Sequence, residues 1–76
     1  MNAKRRKALM KLAEQLNTLK SDFEMLRDEE QDAYDRMPES FQAGARGEAA
    51  ETILDNMDDV LCSLQDAIDT LETLEE

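Results

Sequence analysis

Residues 9–26 read LMKLAEQLNTLKSDFEML, and their apolar positions Leu9, Leu12, Leu16, Leu19, Phe23 and Leu26 follow one another at steps of 3, 4, 3, 4 and 3. That is the a/d repeat of a coiled-coil helix, which sets these side chains along one stripe. Carried forward, the frame puts Glu30 at an a position, then Ala33 and Met37, so the stripe weakens through the polar run Arg27 to Asp32 without losing phase. Pro38 ends it, because its ring disfavours helical geometry at Met37 and it has no backbone N–H. Downstream, Ala50, Leu54, Met57, Leu61, Leu64, Ile68 and Leu71 repeat the pattern with steps of 4, 3, 4, 3, 4 and 3. The spacing predicts helices over about 3–36 and about 48–75, joined by a loop over about 37–47 that holds Pro38, Gly44 and Gly47. Within that loop Pro38-Glu39-Ser40-Phe41 suits a single helical turn.

A connection of this length favours an antiparallel hairpin, so the expected fold is all-α, one two-helix coiled-coil hairpin over residues 1–76. If the stripes face each other, partners have numbers summing to about 83, which sets Leu12 near Leu71, Leu19 near Leu64 and Leu26 near Met57. The second helix carries a further stripe, Ile53, Val60, Ala67 and Leu74, one residue before each a position. Three apolar positions in seven are more than one neighbour needs. A chain of 76 residues with one cysteine and no histidine lacks disulfide and zinc staples, which leaves association as the helper a small core requires. Hairpins are therefore expected to pair as a homodimeric four-helix bundle over Ile53, Val60, Ala67 and Leu74.

The net charge of −10 is unevenly placed. Residues 1–46 hold nine basic and nine acidic side chains, whereas residues 47–76 hold ten acidic and no basic ones. In the heptad frame nine of those ten fall at b, e and f, and only Glu75 falls on the stripe. An exposed helix ordinarily interleaves Glu and Lys at i, i+4, since like charges at that spacing repel. Asp is moreover a poorer helix former than Glu, yet Asp55, Asp58, Asp59, Asp66 and Asp69 hold the middle of this helix. At ~1.5 Å per residue these carboxylates average one per ~4.5 Å, close to the ~3.4 Å per phosphate of a single DNA strand. Asp55, Asp58, Asp59, Asp66, Asp69 and Glu72 are accordingly the candidate partner-binding residues. A solvated face that only confers solubility has the same composition. At the other end Lys4, Arg5, Arg6 and Lys7 crowd a helix N-terminus, where the macrodipole disfavours cations; the hairpin is expected to set them beside Glu72, Glu75 and Glu76 for pairing within or between chains, the alternative being a nucleotide, nucleic-acid or anionic-surface contact.

Most chemistry is excluded by what the chain lacks. Without histidine no Ser-His-Asp or Cys-His arrangement can form. Cys62 sits among Asp58, Asp59 and Asp66, surroundings that do not activate a thiol. Asp28, Glu30, Asp32 and Glu39 fit positions 1, 3, 5 and 12 of a calcium loop, but Ala33 stands where its glycine must be. Neither glycine belongs to a phosphate loop, and Phe23, Tyr34 and Phe41 are too few for base stacking. No enzyme activity, cofactor or metal is expected. No apolar run spans a bilayer, and the basic start lacks a signal-peptide core, so a cytoplasmic, soluble protein that touches neither membrane nor nucleic acid directly is expected.

The segment from Arg27 to Ser40, with its Met37-Pro38-Glu39-Ser40 turn, followed by Arg46-Gly47-Glu48 and preceded by Met1 to Leu12, resembles a family of small acidic helical-hairpin proteins of bacteria and their phages. The likeness spans nearly the whole chain. It brings no functional residue with it; what it implies is context, a small accessory protein of the bacterial host cell, phage-borne, and similar in size and charge to inhibitors of host nucleic-acid machinery, restriction and CRISPR effectors included. Two functions follow as expectations. One is a binding protein whose acidic helix occupies the basic nucleic-acid-binding surface of a protein partner, by occlusion or mimicry. The other is a coiled-coil assembly or scaffold module acting through its apolar stripe.

Overall fold

The computed structural model describes residues 2–75. Two long helices, α1 (Ala3–Asp35) and α3 (Ala45–Glu75), pack side by side along a rod 58 Å long, and a one-turn helix, α2 (Glu39–Gln42), closes one end. Asn2 starts α1 as its cap, its Oδ1 accepting the Arg5 N–H at 2.9 Å and satisfying one of the amides that a helix start leaves free. Pro38, in extended geometry, stops α1 and leads into α2. The turn is tied back by Gln42, whose Nε2 donates to the Tyr34 carbonyl at 2.9 Å. The expected turn at Pro38 to Phe41 is thus present.

The second long helix begins at Ala45 rather than about residue 48, so Gly47 belongs to its first turn. Gly47 is buried, and a Cβ built there would overlap the backbone of Gln42. Its role is close approach between α2 and α3 rather than an unusual backbone angle, since no described residue has a positive φ.

On α3 the interior face is the expected one: Leu54 and Ile68 are buried and Ala50, Met57, Leu61, Leu64 and Leu71 half-buried. On α1 the expected stripe is corrected. Leu9, Leu16 and Phe23 do turn inward, but the positions between them are Ala13, Lys20 and Arg27, while Leu12, Leu19 and Leu26 are 50, 57 and 54% exposed. The pairs Leu12–Leu71, Leu19–Leu64 and Leu26–Met57 are therefore not the core layers. Ala13 lets the helices approach closely, and Lys20 and Arg27 stand half-buried at the seam, their charged heads paired with Glu24 and Asp58.

This rotation is fixed on one flank by two links. Arg27 Nε donates to Asp58 Oδ1 at 3.0 Å and its Nη2 to Asp58 Oδ2 at 3.4 Å; the Tyr34 hydroxyl donates to Glu51 Oε1 at 2.6 Å. Both pairs join residues whose numbers sum to 85, which sets the register of the rod. That register puts Glu75 level with Met10, so the first turns of α1 overhang the described end of α3 by ~10 Å. Lys4, Arg5, Arg6 and Lys7 lie in this overhang, and none makes an ion pair among the described residues, so the within-chain form of their expected pairing, with Glu72 and Glu75, is absent there. Glu76 lies outside the described residues.

Candidate functional site

Each residue of an α-helix lies ~100° further round the axis than the one before it. Because Arg27–Asp58 and Tyr34–Glu51 bridge one flank of the seam, the residues just before Arg27 and Tyr34 on α1, and those one residue before each a position on α3, lie on the opposite flank. There the register sets Leu12 beside Leu74, Leu19 beside Ala67, Leu26 beside Val60 and Ala33 beside Ile53, all exposed. The apolar stripe expected on α3 is real and uncovered. Sequence reasoning assigned its α1 half to the core instead, and so missed that the two make one face.

The carboxylates occupy the outer edge of α3. Asp55, Asp58, Asp59, Asp66, Asp69 and Glu72 are all exposed. Of the six, only Asp58 is held by a cation among the described residues, Arg27; the other described salt bridge, Lys20–Glu24 at 3.3 Å, lies within α1. Asp69 accepts from its own helix, from Gln65 Nε2 at 2.8 Å. Between Ala49 and Leu74 every carboxylate of α3 avoids the c and g positions, so the flank formed by Ile53, Asn56, Val60, Ser63, Ala67 and Thr70 bears no charge.

Folding redistributes the charge along the rod. Residues 21–64, the half that ends in the turn, contain thirteen acidic and three basic side chains, net −10. The described residues of the other half, 2–20 and 65–75, contain six basic and five acidic ones, net +1. At the turn end the Tyr34 phenol is raised above its usual 10.0, first by donating to Glu51 and then by partial desolvation and the neighbouring negative charge of Glu51 and Asp35. The Arg46 guanidinium lies 5.2 Å from the centre of the Phe41 ring, which stays exposed.

Among the described residues there is no cavity, no group of three or more carboxylate or thiol side chains placed to hold a metal ion, and no helix long and apolar enough to cross a membrane. The Cys62 thiol is free and exposed. What the surface offers is two long strips, one apolar and one acidic, on different sides of α3. No protein-family model, curated protein or solved structure matches the chain.

Proposed function

We propose that the chain is a non-enzymatic acidic binding protein that occupies the basic, nucleic-acid-binding surface of a protein partner, the action expected of a phage-encoded inhibitor of restriction or CRISPR type. The observation that carries this reading is the row of Asp55, Asp59, Asp66, Asp69 and Glu72, exposed along one helix with no cation among the described residues against any of them. Packing against α1 holds the row straight, although the row itself opposes helix formation. Short aspartates held this way lose little side-chain entropy when they meet arginines or lysines. Affinity capture from a bacterial lysate at low and at high salt, with and without Asp55, Asp59, Asp66 and Asp69 all changed to Asn, tests the reading. A partner retained at low salt, lost at high salt and lost with the quadruple variant supports it. Unchanged capture by a variant of unchanged helicity refutes it.

A second reading, a coiled-coil assembly module that pairs into a homodimer, is favoured by the uncovered strip of Ile53, Val60, Ala67 and Leu74. Its sensitive positions are Ile53, Val60 and Leu74, and association by that strip strengthens with salting-out salts instead of weakening. The two readings are compatible, since the strips do not overlap.

A further inference from the structure

We infer that the apolar face is covered by a second copy of this chain laid upon it in the opposite direction, turn end over open end, so that α1 rests on α1 and α3 on α3. The inference rests on the pairing reading above and adds the leucines of α1, the orientation and the surface that results. The area fits. A compact chain of this mass exposes ~4,700 Å², against 5731 Å² here. The excess, ~1,000 Å², is close to the ~800 Å² that each partner contributes to a standard interface.

Charge selects the orientation. Residues 3–20 of α1 carry six basic side chains and one acidic, and residues 21–35 one basic and seven acidic, so α1 is +5 over its first half and −6 over its second. Reversal sets each half of α1 against its opposite in the second copy. A two-fold axis along the rod does the reverse, bringing the two turn halves, each −10, side by side. The overhang finds a place as well. With the rods fully overlapped, facing α1 residues have numbers summing to about 45, so Lys4 to Lys7 stand level with the Pro38–Phe41 turn of the second copy, next to its Asp35 and Glu39. Two acidic α3 helices can lie together because the flank they share is the uncharged one.

Side-chain size agrees with the same register. Leu12 meets the level of Ala33, Leu19 that of Leu26, Ile53 that of Leu74, and Val60 that of Ala67. Each four-residue layer then contains one alanine and three larger side chains. In the parallel arrangement one layer would hold four leucines and another two pairs of alanine and isoleucine, which packs unevenly. The reversed dimer gathers both α3 helices on one wall. Its nine described carboxylates per copy, Glu48 to Glu75, make two antiparallel rows with one charge per ~2.3 Å of rod, near the ~1.7 Å of duplex DNA. The partner's surface is then one shaped for a double strand.

Sedimentation of the unmodified chain across a wide concentration range, combined with electron–electron distance measurement on the full chain bearing Cys62→Ser and a nitroxide at Ala43→Cys, tests this. A mass twice 8.7 kDa together with an interlabel distance of ~60 Å supports the reversed dimer. A doubled mass with a distance below ~25 Å overturns the orientation and leaves pairing intact. A mass of one chain at every concentration overturns pairing itself, and with it this inference.

Discussion

Replacing Gly47 by alanine separates two physical accounts of the turn by the sign of the effect. Gly47 lies in the first turn of α3, and a glycine-to-alanine change in an ordinary helix stabilises by ~0.8–1 kcal/mol. Here the added methyl coincides with backbone atoms of Gln42, not with the end of a side chain that could swing away. Relief requires α2 to move off α3, at an overpacking cost of ~1–3 kcal/mol and loss of the Gln42–Tyr34 hydrogen bond, a further ~0.5–1.5 kcal/mol. After subtracting the propensity gain, Gly47→Ala is expected to destabilise by about 1–3 kcal/mol, a large share of the ~4–11 kcal/mol available to a chain of 76 residues. Urea unfolding followed by circular dichroism at fixed protein concentration measures it, with an unchanged m-value as the check on the denatured state. Gly44→Ala is the control, because its Cβ would stand 3.3 Å from the Ser40 oxygen, tight but not overlapping, and a small effect is expected. A Gly47→Ala protein as stable as the parent or more so refutes the close approach of α2 to α3.

Ile68 is 1% exposed, the most buried large side chain described, and Ile68→Ala is expected to lose ~2–5 kcal/mol in the same unfolding assay; a loss under ~1 kcal/mol would mean that the seam on α3 is misplaced. Tyr34 is the one tyrosine of the chain, so ultraviolet absorbance titrates it without interference. Its midpoint is expected above 10.0 and is expected to fall towards that value in Glu51→Gln. Since the folded phenol is raised, the stabilisation it contributes is present below pH 10 and lost as pH rises through the folded value. A midpoint unmoved by Glu51→Gln removes the Tyr34–Glu51 link from the register.

Periodicity made the hairpin and the whole inner face of α3 legible, because Leu54, Leu61, Leu64 and Ile68 admit one inward stripe and the carboxylates exclude the rest. On α1 it was half sufficient. A heptad repeat says that Leu12, Leu19 and Leu26 share a side with Leu9 and Leu16, but not which neighbour that side meets. The residues that take the inner places, Ala13, Lys20 and Arg27, are small or cationic and carry no apolar signal. The start of α3 was misplaced because Gly44 and Gly47 read alike as breakers, while the reason for Gly47 is a contact with Gln42 that only the folded turn creates. The acidic strip was legible residue by residue. That Asp58 alone is occupied by Arg27 follows from the rotation of α1, and no local pattern encodes it.

The separation of cations from α3 also dictates how the chain meets a protease. Every lysine and arginine of residues 1–76 precedes Gly47, so trypsin, however long it acts, leaves residues 47–76 uncut. In a lone hairpin its earliest cuts belong in the overhanging turns of α1, where four consecutive basic residues lie beyond the described end of α3. A digestion time course therefore works as a footprint with its own internal standard: slower cutting at Lys4 to Lys7 marks whatever settles over that end, against residues 47–76, which trypsin never divides.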